Sequence, residues 1–148
     1  MPENKKEWSG LNELARDIHE NAKAHGWWDE NRSFPEVVAL CHSELSEALE
    51  EYRRSRPLLY YPCNAGGLCV DDRKNENVSC GSRVYNPDDP AGCKARSEKP
   101  EGIAVEMADC IIRILDWCGK EGVDIDAIIR MKHEYNTTRP YKHGGKVC

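Results

Sequence analysis

The 148-residue chain has no apolar run near the roughly 20 residues that cross a bilayer, so no membrane-spanning helix is expected. Its opening residues, MPENKKEWSG, lack the apolar core of a signal peptide, which makes a cytoplasmic location the expectation. An excess of positive charge is also missing. The formal net charge is -5, which argues against nucleic-acid binding as a main role. Nowhere does the sequence alternate polar and apolar residues as a half-buried strand would, and no CxxC knuckle marks a zinc ribbon.

What is present suits one soluble domain spanning residues 1–148, with 39% hydrophobic and 32% charged residues. Leu11, Leu14, Ile18 and Ala22 recur at helical spacing, with Ser9 as candidate cap and Gly26 as the stop. Ser33-Phe-Pro-Glu36 reads as a capping box with proline in the first turn. It opens a helix whose apolar stripe is Val38, Cys41, Leu45, Leu49 and Tyr52. A third helix is expected from near Pro100 to Lys120, ending at Gly122. Its apolar face is Ile103, Met107, Ile111, Ile114, Leu115 and Cys118. Glu106, Asp109, Arg113 and Asp116 lie almost opposite that face, bordered by Val105 and Ile112. A fourth helix starts at Asp124 as cap, carries Ile125, Ile128 and Ile129, and fades near Asn136. The fold class is all-α, a bundle of four to five helices.

Residues 55–99 interrupt this pattern with a long irregular insertion rich in Pro, Gly, Asn and Asp, read as a surface excursion rather than a core element. Cys63, Cys69, Cys80 and Cys93 all fall within it. Their spacing is loose for a structural Zn2+ site, and free thiols or disulfides are the competing readings. Cys41, Cys110 and Cys118 sit in helical patterns and read as small packing residues.

Two carboxylate pairs carry the chemistry. Glu44-Leu-Ser-Glu47 and Glu106-Met-Ala-Asp109 each place two acids one turn apart on one helix face. Brought together, four such groups repel unless a cation sits among them, and their oxygens suit Mg2+, with Mn2+ as an alternative. The end of the chain supplies the opposite charge. Lys132, Asn136 and Arg139 follow at near-helical spacing, then Tyr141, Lys142, His143 and Lys146, and such donors suit the oxygens of a triphosphate.

The segments NAKAHGWWDENRSFPEVVALCHSELSEALEEYR, KPEGIAVEMADCIIRILDWC and KHEYNTTRPYKHGGK resemble the MazG-like members of the all-α nucleoside triphosphate pyrophosphohydrolase superfamily, which includes the dimeric dUTPases and dCTP pyrophosphatases. The resemblance covers most of residues 11–54 and 99–146. It implies that Glu44, Glu47, Glu106 and Asp109 are Mg2+ ligands. It also implies that His19 and Trp28 contact the base, and that Lys132, Asn136, Arg139, Tyr141, Lys142 and Lys146 bind substrate. The gap between the two acidic motifs is longer here than in the family, because of the insertion.

The implied activity is hydrolysis of a nucleoside triphosphate to a monophosphate and pyrophosphate, with Glu47 as the carboxylate that takes the attacking water's proton. The resemblance, together with apolar residues that spread beyond one stripe, also implies a homodimer or homotetramer. Two alternatives differ in class or detail. One is a non-catalytic binding or regulatory module with a zinc-stapled loop; the other is a dUTPase-like diphosphohydrolase that also accepts diphosphates.

Overall fold

Apolar spacing and helix punctuation place four helices close to where the pattern puts them. The computed structural model describes residues 7–63, 68–69, 97 and 99–141. Among these residues the helices are α1 (Leu11–Ala24), α2 (Phe34–Arg53), α3 (Ile103–Glu121) and α4 (Ile125–Thr137). The all-α expectation holds, with one small addition. Strands β1 (Tyr61–Pro62) and β2 (Leu68–Cys69) pair antiparallel inside the insertion, Tyr61 opposite Cys69 and Pro62 opposite Leu68. Among the described residues no helix is long and apolar enough to cross a membrane.

The chain divides into two compact units. One holds the described residues up to Arg32 together with those from Ile114 onward, and the other holds the residues from Ser33 to Arg113. Helix α3 therefore contributes its beginning to one unit and its end to the other.

In the first unit, α1 starts differently from the sequence expectation. Ser9 is not the cap. Its backbone N–H and its hydroxyl both donate to Glu13 Oε2, at 2.9 and 2.8 Å, and Gly10 occupies the cap position. The orphan N–H groups of Leu11 and Asn12 donate instead to the Asp126 carboxylate, at 3.1 and 2.9 Å. Asn12 answers by donating from Nδ2 to Asp124 Oδ1 at 2.8 Å and by accepting the Asp126 N–H at 3.3 Å. Two helix starts thus satisfy each other's unpaired groups, a contact between residues more than 110 positions apart. Asp124 also caps α4 as expected, accepting the Ala127 N–H at 3.1 Å. The core of this unit is Ala15, Leu115 and Cys118, with Leu11, Leu14, Ile18, Trp117, Val123 and Ile125 packed against it.

In the second unit the capping box forms as the sequence predicts: the Ser33 N–H and hydroxyl donate to Glu36 Oε2 at 2.6 and 2.7 Å. Helix α3 begins three residues later than expected, because Glu101 is taken up in a bridge with Tyr60. Each donates its N–H to the other's carbonyl at 2.9 Å, and Ala104 N–H donates to Leu58 O at 2.9 Å. Gly102, at φ 119°, lies where a Cβ would fall 2.7 Å from the carbonyls of Pro57 and Leu58, so this junction admits only glycine. Tyr60 is 4% exposed, which corrects the reading of the insertion as wholly surface chain.

The apolar stripe of α2 is not its buried side. Val37, Glu44 and Ala48 form the buried side, whereas Val38, Leu45, Leu49 (48% exposed) and Tyr52 (69% exposed) face outward. Met107, Ile111 and Ile114 of α3 are exposed as well. Periodicity identifies an apolar face but not the surface that covers it.

Gly119 gives the packing of α1 on the end of α3 a measurable consequence. A Cβ there would lie 2.4 Å from the Ala15 carbonyl oxygen and 2.9 Å from His19 Cβ. Helix propensity alone favours Gly119→Ala by about 1 kcal/mol, but overpacking against backbone costs about 1–3 kcal/mol. The variant is therefore expected to lower the urea midpoint despite its better helix former. A raised midpoint would show that the two helices separate freely.

Candidate functional site

Both acidic pairs belong to the second unit, one on α2 and one on the first part of α3, and the helices face each other in antiparallel register. Glu47 lies near Glu106, Glu44 near Asp109 and Arg113, and Cys41 near Cys110. One carboxylate oxygen from each of Glu44, Glu47 and Glu106 falls within 4.8 Å of the others. Asp109 stands outside this trio, though close enough to feel the charge of Glu44.

Burial varies across the cluster. Glu44 is 8% exposed, Glu106 and Asp109 are half-buried, and Glu47 is exposed. A buried carboxylate needs a partner, and Arg113 supplies one: its Nε donates to Glu44 Oε1 at 3.0 Å. The acids nevertheless repel. Burial pushes the Glu106 carboxyl above its ordinary range, and the charges of Glu47, Asp109 and Glu44 add to that, with Lys99 opposing. Burial likewise raises Asp109, helped by Glu44 and opposed by Arg113 and Lys99.

The residues fit a divalent ion. Around Mg2+, with oxygens at about 2.1 Å, two ligand oxygens stand at most about 4.2 Å apart. The trio's oxygens, within 4.8 Å of one another, could hold such an ion, and they are the hard donors it prefers.

The same ladder continues beyond Glu47. The Tyr60 hydroxyl lies 2.9 Å from Glu51 Oε2 and 3.2 Å from Glu101 Oε2. Burial and the two carboxylates push this hydroxyl up to about 12, so it remains a donor across the neutral range. One phenol proton thus serves two acids and closes the end of the helix pair.

His19 and Trp28 meet in the first unit, around a residue that the sequence reading left on a charged face. Asp116 is 5% exposed. The Trp28 indole N–H lies 3.0 Å from both of its carboxylate oxygens, and His19 Nδ1 is 2.8 Å from Oδ1. An indole can only donate and a carboxylate only accept, so the His19 nitrogen facing Asp116 carries a proton and Nε2 is left for another partner. The rings of His19 and Trp28 meet edge to face at 5.4 Å, and the Arg32 and Lys120 cations lie 5.4 and 5.0 Å from the Trp28 centroid. Trp28 is therefore half-buried and fixed, whereas its neighbour Trp27 is exposed.

Lys132 and Asn136 lie one turn apart on α4, and Arg139 follows just beyond its end, donating its N–H to Asn136 O at 3.2 Å. All three are exposed, and Lys132 Nζ sits 4.9 Å from the Tyr135 ring. Tyr141 is exposed too. Lys142, His143 and Lys146 lie outside the described residues, as do Cys80 and Cys93. Cys63 carries a free, half-buried thiol.

Sequence reasoning placed Arg113 and Asp116 on the charged face of α3 without giving either a role, and it passed over Tyr60. For Arg113 a signal existed, since it sits four residues after Asp109 on the same helix face. Asp116 and Tyr60 gave none, because their partners are distant in sequence. Comparison of the chain with protein-family models, with curated proteins and with solved structures returned no match.

The raised carboxyls make stability depend on pH in a definite direction. In the folded state Glu106 and Asp109 hold protons at pH values where the unfolded chain, near the ordinary carboxyl range of about 4, has lost them. Stability contributed by these groups therefore falls as pH rises out of the carboxyl range, and the deficit persists at neutral pH. With EDTA present, Glu106→Gln is expected to melt above the native chain at pH 7, the gap shrinking as pH is lowered towards 4. A gap independent of pH would contradict this arrangement of charge.

Proposed function

We propose that this chain is a divalent-cation-dependent nucleoside triphosphate pyrophosphohydrolase of the MazG-like type, releasing pyrophosphate and a nucleoside monophosphate. The observation that carries the reading is the convergence of Glu44, Glu47 and Glu106 oxygens within 4.8 Å, with Asp109 alongside. Those are the residues named by the E-x-x-E and E-x-x-D pairs.

Glu44, Glu47, Glu106 and Asp109 would hold Mg2+ or Mn2+. When bound, such an ion neutralises charge developing on the phosphate oxygens and makes a nearby water more acidic. Glu44 is buried, and Arg113 Nε donates to its Oε1. Glu47, the exposed member, is the acceptor for the attacking water's proton. Lys132, Asn136 and Arg139 contribute cations and an amide that suit phosphate oxygens, with Tyr141, Lys142 and Lys146 as further substrate contacts. His19 and Trp28 contact the base, their orientation fixed by Asp116.

The protein would act as a homodimer or homotetramer. Exposed Val38, Leu45, Leu49 and Tyr52 on one helix make an apolar strip wide enough to be covered by a second copy.

Glu44→Ala and Asp109→Ala are expected to reduce Mg2+-dependent pyrophosphate release by about a hundredfold or more, as removal of a metal-site carboxylate does. The helical circular dichroism spectrum should be retained. The assay is a panel of natural and modified nucleoside triphosphates with products identified by chromatography. Near-native turnover in either variant, or no turnover of any triphosphate by the native chain, would refute the reading. Cleavage of dUDP would move the activity to the diphosphohydrolase class.

A further inference from the structure

We propose that Asp116 is a positioning residue whose bond makes His19 an obligate hydrogen-bond acceptor toward a ligand. The site thereby selects nucleobases that carry an exocyclic amine over their oxo counterparts. This selection rests on the proposed contact of His19 and Trp28 with the base. Asp116 lies on α3, within the first unit, and is 5% exposed. An ionised carboxylate can only accept. It does so from His19 Nδ1 at 2.8 Å and from the Trp28 indole, 3.0 Å from each oxygen.

The two donations leave different groups for a ligand. Trp28 commits its single N–H to Asp116, so it presents the ring alone. His19 has a second nitrogen. With the proton held on Nδ1, the neutral imidazole carries a lone pair on Nε2. Among the described residues no hydrogen bond engages that atom. The neighbouring cations are already paired: Arg32 donates to the Trp27 carbonyl at 3.3 Å, and Lys120 lies 3.1 Å from Glu121. The His19 side chain keeps 13% exposure against 7% for Asp116, so a ligand meets the imidazole before the acid that sets it. Trp28 packs edge to face against the same ring, with centroids 5.4 Å apart.

An acceptor at this point reads one difference between bases. Cytosine and adenine project an amino group where uracil and thymine carry a carbonyl oxygen. The amino group completes a bond to Nε2. A carbonyl oxygen there sets lone pair against lone pair and leaves both unpaired, which is how a polar site rejects a close analogue. Because the amino nitrogen stands out beyond the ring, it reaches an acceptor before any ring N–H does.

The test uses the full chain with isotope-labelled histidine at about pH 8.5, above the usual imidazole range near 6.5. Long-range nitrogen–proton correlation spectra should show His19, identified by its loss in His19→Gln, as the neutral tautomer protonated at Nδ1. Titration with dCMP and dUMP in EDTA then reads base preference without metal or turnover. Binding of dCMP should be about tenfold tighter than that of dUMP, as one hydrogen bond gives, and should shift the Nε2 resonance. Asp116→Asn puts an amide donor against Nδ1, which moves the His19 proton to Nε2 and should abolish or reverse the preference. If that variant folds poorly, His19→Gln takes its place: its amide both donates and accepts, so the two nucleotides should bind alike. A chain that prefers dCMP through His19 yet releases no pyrophosphate would fault the hydrolase reading alone. The proposal is overturned if native His19 is protonated at Nε2, if dUMP binds as well as dCMP, or if neither nucleotide perturbs His19.

Discussion

Repulsion among the acids on the facing turns of α2 and α3 is the constraint around which the second unit is arranged. Two like charges about 5 Å apart interact by roughly 3 kcal/mol at an effective dielectric of 20. Glu44, Glu47, Glu106 and Asp109 lie close enough for several such terms. Arg113 and Lys99 are the cations that act on them, and Arg113 bonds directly to the most buried acid. Besides the Arg113–Glu44 ion pair, contacts outside the four-acid cluster hold this unit together. Val37 and Ala48 bury one side of α2, Gly102 lets the chain pass tightly into α3, and Tyr60 ties Glu51 to Glu101. Packing thus holds together groups that would move apart if free, an opposition that a divalent cation would relieve.

A different logic governs the first unit, where polar groups are fully answered rather than opposed. Asp116 accepts from His19 and Trp28, and Asp126 accepts from the open start of α1. Both are carboxylates receiving N–H donors, which offsets the cost of withdrawing charge from water. His19 and Trp28 gain fixed orientations in this way, a requirement for any pair of groups that must meet a ligand in one geometry.

The apolar surface has its own consequence. The buried apolar set among the described residues consists mainly of small side chains, including Ala15, Ala22, Ala48, Cys110 and Cys118, while many of the larger ones remain accessible. Leu45, Leu49 and Tyr52 on α2 lie roughly 80–140° around the helix from Glu44 and are exposed where Glu44 is buried.

The amino-acid order by itself determined the helices, because apolar spacing, the Ser33–Glu36 capping box, the Asp124 cap and the Gly26 stop are local signals acting within one or two turns. It also determined that each acidic pair shares a helix face, since three-residue spacing permits nothing else. The tertiary structure alone decided which acids converge, Glu44, Glu47 and Glu106 with Asp109 beside them, because that depends on the register between two helices separated by a long insertion. It decided too that Asp126 rather than Ser9 serves the start of α1, that Asp116 is buried, and that the buried side of α2 runs through Val37, Glu44 and Ala48. In each case the partner is remote in sequence, and burial is a property of what packs against a residue rather than of the residue itself.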